Sequence, residues 1–148
     1  MVETRNLVLN LIPLYLLHLA SGVLKGRTRL QKLVFLAQKK MNDEIDFEFV
    51  KGWYGPVSYK LMELVQNLEE TGLVEERIGE TQVGFEVAEY RLTKAGREFV
   101  ALALDKRMIP SKARAKIEEA FKAYGKLPFI EMLNRVHAEY PEWVETTE

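Results

Sequence analysis

Between Val57 and Phe99 the spacing of apolar residues switches from helical to alternating and back, and this succession constrains the fold more than any other feature. Leu61, Leu64, Val65 and Leu68 recur at the three-four spacing that lines one face of a helix. Thr71-Gly72 closes the stripe, because glycine best tolerates the left-handed position that ends a helix. Leu73 to Ile78 and Val83 to Leu92, on either side of Gly79-Glu80-Thr81-Gln82, read as two strands of a hairpin. Val83, Phe85 and Val87 share one parity and Tyr90 and Leu92 the other, so a register break near Ala88, a bulge, is expected. Thr93 then caps a helix containing Phe99, Leu102 and Ala103.

Upstream, a first helix is predicted from about Leu7 to Ser21, with Pro13 near its first turn or kinking it and Gly22 as its stop. Leu30, Leu33, Val34, Ala37 and Met41 mark the buried stripe of a second helix, whose other face holds Arg27, Arg29, Lys32, Lys39 and Lys40. Ile45, Phe47 and Phe49 alternate with Asp46, Glu48 and Val50 as in a short strand, and Gly52-Trp53-Tyr54-Gly55-Pro56 forms a turn before a third helix from Val57. Downstream, Ser111 caps a helix with Ala113, Ile117, Ala120, Phe121 and Tyr124 on one face, ending at Gly125. Pro128 suits the first turn of a last helix, where Phe129, Leu133, Val136 and Tyr140 align before Pro141. The expected architecture is mainly α with a small β-hairpin: a winged helix-turn-helix with additional N- and C-terminal helices. It forms a single domain over 1–148, with a core of about 24–104 and a C-terminal helical extension of about 105–148. The added helices complete the core or form the seam of a homodimer.

Composition narrows the function classes. The 148 residues, 47% of them apolar, suffice for one buried core. A net charge of −1 lacks the excess of Lys and Arg of many nucleic-acid binders, so any such site must be a local patch. The absence of cysteine excludes disulfides, thiolate zinc sites and cysteine nucleophiles, and fits a cytoplasmic protein. The apolar stretch Leu7 to Ala20 carries Asn10, Pro13 and His18 and falls short of the about 20 residues a bilayer requires. It reads as a buried or subunit-facing helix rather than a membrane segment. The two histidines, His18 and His137, are too distant for a metal site, and are expected in the core or an interface and packed or half exposed, respectively. Without a phosphate loop, a calcium loop or a nucleophile elbow, no enzymatic activity and no cofactor are expected.

The stretch Leu68-Glu69-Glu70-Thr71-Gly72-Leu73-Val74, followed by the hairpin and Tyr90-Arg91-Leu92-Thr93-Lys94-Ala95-Gly96-Arg97-Glu98-Phe99, resembles the recognition helix, wing and following helix of MarR-like and PadR-like regulators. A second resemblance runs from Leu30 to Tyr59. Leu30-Gln31-Lys32-Leu33-Val34-Phe35-Leu36-Ala37-Gln38, then Phe47 and Phe49, then Gly52-Trp53-Tyr54-Gly55-Pro56-Val57-Ser58-Tyr59, is similar to the Panacea family of antitoxin-associated proteins. That resemblance implies a protein partner, a toxin.

Two functions follow, with different residues. A DNA-binding transcriptional regulator would use the basic stretch for phosphates, through Arg27, Arg29 and Lys32, and the start of the third helix for the major groove of double-stranded DNA, through Ser58, Tyr59 and Lys60. The alternative for the basic stretch is a solvated helix face. Glu75, Glu76, Glu80, Glu86 and Glu89 outnumber Arg77 and Arg91 in the hairpin, which disfavours the usual wing contact with a phosphate backbone. The other function is a protein-binding antitoxin or adaptor module, anchored by Trp53 and Tyr54, which a glycine-flanked turn cannot easily bury together; against it stands a Trp53 folded over the core. A weaker third reading is a small-molecule-sensing regulator with a pocket between the added helices.

Overall fold

The computed structural model describes residues 2–41, 47–80 and 86–145. Its elements run α1 (Val2–Leu19), β1 (Val23–Lys25), α2 (Arg27–Lys40), α3 (Tyr59–Glu70), β2 (Val74–Glu80), β3 (Glu86–Leu92), α4 (Lys94–Asp105), α5 (Ser111–Tyr124), α6 (Phe129–Glu139) and a 3-10 turn, Pro141–Trp143. The three strands pair antiparallel in the order β1-β3-β2. Helix, strand, two helices and a two-stranded wing closing a three-stranded sheet is the winged-helix arrangement.

The α3-to-α4 stretch forms as its residue pattern predicts, for local reasons. Ser58 Oγ accepts from Leu61 N at 3.1 Å and starts α3. At its end Gly72 takes φ +82° and Leu73 N donates to Leu68 O at 3.0 Å, closing the last turn. Thr93 Oγ1 accepts from Gly96 N at 2.9 Å to cap α4 and donates to Gly72 O at 2.6 Å, tying the end of α3 to the start of α4. The expected bulge is absent from the described residues: β2 and β3 pair without a break from Val74↔Leu92 to Glu80↔Glu86. Ala88, Tyr90 and Leu92 are the buried parity, whereas Val83 and Phe85 lie outside the described residues.

Elsewhere the structure shifts several expectations. Helix α1 starts at Val2 and has Pro13 well inside it. Leu11, Ile12, Leu14, Tyr15, Leu16 and Leu17 are each at most 2% exposed, so α1 is a core helix. His18 is exposed and stacks on Tyr15, with ring centroids 5.8 Å apart. β1 had no counterpart in the sequence reading; its three residues pair with Glu89–Arg91. Of the strand expected over Ile45 to Val50, Ile45 and Asp46 lie outside the described residues, Phe47 and Phe49 are buried without strand pairing, and Val50 makes only an isolated bridge to Val57. Ser111 and Pro128 each fall one position from expectation: Pro110 caps α5 and Pro128 caps α6. Phe129 is exposed, while Met132, Leu133 and Val136 face inward.

Helix α2 is the largest departure. All nine residues from Leu30 to Gln38 are buried, because α1, α5 and the sheet pack around it and the 47–58 segment crosses its remaining side. Three of those nine, Gln31, Lys32 and Gln38, are polar. No helix among the described residues is long and apolar enough to cross a membrane.

Candidate functional site

A DNA-reading helix-turn-helix joins its two helices by about three or four residues. Here residues 41–58 intervene between α2 and α3. Of this segment, the described residues 47–58 must satisfy their backbone polar groups where they run over the core. The polar residues of α2 do this. Gln38 Oε1 accepts from Phe47 N at 2.7 Å while its Nε2 donates to Phe47 O at 3.0 Å. Two turns earlier Gln31 makes the same paired contact with Ser58, at 2.7 and 2.9 Å. Lys32 Nζ donates to Pro56 O at 2.8 Å. Gln31, Lys32, Gln38 and Ser58 are the buried polar residues among those described, and all four serve this segment.

Between the two clasps, Val50 and Val57 exchange backbone hydrogen bonds of 2.8 and 2.9 Å, and Gly55 N donates to Gly52 O at 3.1 Å to close a turn. Both glycines are required. Gly55 takes φ +108°, and a Cβ on Gly52 would lie 2.7 Å from Gly55 O. On its outer side Gly52 O accepts from Glu145 N at 2.9 Å. The turn is thus fixed from α2, from its own bridge and from the C-terminal segment. Trp53 and Tyr54, at its tip, remain 56% and 61% exposed, and Tyr59, opening α3, is 75% exposed. Lys51 and Lys60 flank these rings in solvent.

The residues nominated for nucleic acid do not assemble into one basic face. Lys32 is 1% exposed and its ammonium is spent on Pro56 O; burial lowers its pKa to about 8. Ser58 is 0% exposed, with its hydroxyl occupied as the cap of α3. Neither can touch a phosphate, because tertiary packing has turned both inward. Arg29 is half-buried and donates to Gly125 O at 3.2 Å, and that burial lowers its pKa. Arg27 is held by Glu76, Nη2 to Oε1 at 2.6 Å, and its Nε also reaches Tyr90 OH at 3.2 Å; the Glu76 carboxylate raises its pKa. Lys40 pairs with Glu119 at 3.5 Å. Tyr59 and Lys60 alone of the six nominated residues present exposed side chains without such a partner among the described residues.

The surface beside Tyr59 is acidic. A groove of about 620 Å³ between α3 and the wing is lined by Tyr59, Glu63, Gln66, Glu69, Glu76 and Arg27, so three carboxylates face one cation. On the wing, Arg77 and Arg91 fold onto Glu75 and Glu89 at 2.7 and 2.6 Å. They offer little to an external anion. Burial, with Glu76 nearby, raises the Tyr90 pKa to about 12, which keeps its hydroxyl neutral as the acceptor for Arg27.

Trp53 and Tyr54 are exposed, as a glycine-flanked turn predicts, whereas the glutamine clasps were not anticipated from the sequence. A signal was present: Gln31 and Gln38 lie seven residues apart, interleaved with the apolar stripe at Val34, a spacing that keeps side chains on one side of a helix. No group of His, Asp or Glu able to hold a metal occurs among the described residues.

No family model matches the chain, and no curated protein matches it. Among solved structures it is similar to a candidate transcriptional regulator from Thermoplasma acidophilum. The two are 23% identical with a TM-score of 0.43, over 70% of this chain and 91% of the other.

Proposed function

We propose that this winged helix is a protein-interaction module whose contact surface is the Trp53-Tyr54 turn, extended by Tyr59 and the acidic side of α3. The observation that carries this reading is the pairing of exposure with rigidity. Two large rings stand more than half in water on a turn held by Gln31, Lys32 and the C-terminal segment. Rings presented this way lose little freedom on association, and buried Trp and Tyr dominate protein interfaces. Glu63 and Glu69 beside Tyr59, with Glu76 in the groove, favour a partner surface that is basic around an apolar recess. The same charges oppose a phosphate backbone, which weighs against the regulator that reads double-stranded DNA. The resemblance of Leu30 to Tyr59 to the Panacea family points the same way, towards a toxin-like protein.

The test starts from a photoreactive phenylalanine analogue in place of Tyr54, which identifies the contacting protein in cells; the complex is then reconstituted from purified components. Trp53→Ala should leave the melting temperature unchanged and weaken the complex about thirtyfold, as for a hot-spot residue of about 2 kcal/mol. A contrary result would be salt-sensitive binding of a fluorescent random duplex that Lys60→Glu abolishes and Trp53→Ala leaves intact. That pattern would assign the surface to nucleic acid.

A further inference from the structure

A second hollow lies on another part of the molecule, where the end of α1, β1, the first turn of α2 and the end of α5 meet; it measures about 340 Å³. Its lining is mixed: Leu24, Phe121 and Leu127 supply apolar surface, and Lys25, Arg29 and Lys126 supply positive charge. No carboxylate among the described residues lines it. The first turn of α2 contains no acidic residue, and Glu89, opposite Lys25 in the sheet, is held by Arg91 at 2.6 Å.

Arg29 is the unusual member. A half-buried guanidinium ordinarily meets a carboxylate, because desolvating it without an anion is unfavourable. Its Nη1 instead donates to Gly125 O at 3.2 Å and approaches Met132 Sδ at 3.8 Å, contacts that orient the group without neutralising it. Its Nε and Nη2 have no hydrogen-bond acceptor among the described residues. A concave surface with an apolar side formed by Leu24, Phe121 and Leu127, and with a guanidinium that has no ion-pair partner among the described residues beside two lysines, is complementary to a molecule with an apolar body and one anionic end. The planar fork of Arg matches a carboxylate best.

We propose that this hollow binds a small apolar carboxylate, its charged end on Arg29 with Lys25 and Lys126 nearby and its apolar end against Leu24, Phe121 and Leu127. The site is separate from the Trp53-Tyr54 surface and stands or falls independently of it. The probe is hexanoate, titrated into the ¹⁵N-labelled chain at neutral pH and followed by amide chemical shifts. Saturable shifts are expected in Leu19–Lys25 and Phe121–Leu127. Hexan-1-ol, which lacks the charge, should bind at least tenfold more weakly, and acetate, which lacks the apolar body, should not saturate. Arg29→Gln should weaken hexanoate at least tenfold. Should that variant not fold, Lys25→Gln with Lys126→Gln, both at exposed positions, should weaken it at least fivefold. Equal binding of hexanoate and hexan-1-ol, saturation by acetate alike, unchanged affinity in these variants, or shifts that do not saturate would each overturn the proposal.

Discussion

Replacing Lys32 by Met isolates the energetics of the ammonium beneath the aromatic turn. In the native chain Lys32 is 1% exposed, Nζ meets Pro56 O at 2.8 Å, and burial lowers the pKa from 10.5 to about 8. Below both values Lys32 is charged in the folded and unfolded chains, and the folded state alone bears the desolvation. Between them the folded chain has released a proton that the unfolded chain still holds, so stability rises with pH by up to about 1.4 kcal/mol per unit. From about pH 7 to about pH 9.5 the Lys32 contribution to stability therefore grows by roughly 2 kcal/mol, and it levels off once the pH is well above the unfolded value of 10.5. Lys32→Met removes this dependence and leaves Pro56 O without its donor, a loss of about 1 to 3 kcal/mol. At neutral pH that loss and the relief of desolvation largely offset each other. The assay is urea unfolding of both proteins across that range, read as the difference between them. Tyr15, Tyr90 and Tyr124, whose pKa values burial raises, oppose stability at still higher pH in both chains and cancel in the difference. Parallel stability curves from neutral to alkaline pH would refute the reasoning, since they would require an ammonium that is equally solvated before and after unfolding.

Leu61, 0% exposed at the centre of the α3 contact, should lose about 2 to 5 kcal/mol on truncation to Ala, whereas the half-buried Leu64 should lose less; chemical denaturation of both variants checks the order. Gln31→Leu strands the buried Ser58 N–H, while Ser58 O keeps its bond from Met62 N, and should destabilise by about 1 to 3 kcal/mol, with faster amide exchange at Ser58 than in the parent. Gly96→Ala places a Cβ 2.0 Å from Leu73 O, so α4 must shift away from the end of α3; a loss of about 3 kcal/mol or non-folding is expected, and an unchanged melting temperature would contradict that packing.

The helix boundaries between Ser58 and Phe99 were legible in the sequence because their determinants are local. A serine cap, a helical stripe, a glycine with positive φ and a threonine cap each act within a few residues, and each forms as its residue type dictates. The exposed pair Trp53 and Tyr54 was legible for a similar reason, since a short turn between Gly52 and Gly55 has no room beneath it for two large rings. The register of the wing was not, because the parity that faces inward is chosen by what packs on the sheet rather than by the strand itself. β1 was missed because three residues carry too little pattern, and its pairing with β3 joins positions far apart in the chain. The charges of α2 were misread for the same physical reason. Arg27, Arg29 and Lys32 look like one basic face on an isolated helix, but whether a lysine meets water or a carbonyl depends on the segments that wrap it. Only the tertiary structure brings Pro56, Gly125 and Glu76 to α2, and their acceptors turn a predicted phosphate-binding stripe into the internal scaffold of the turn and one wall of a second hollow.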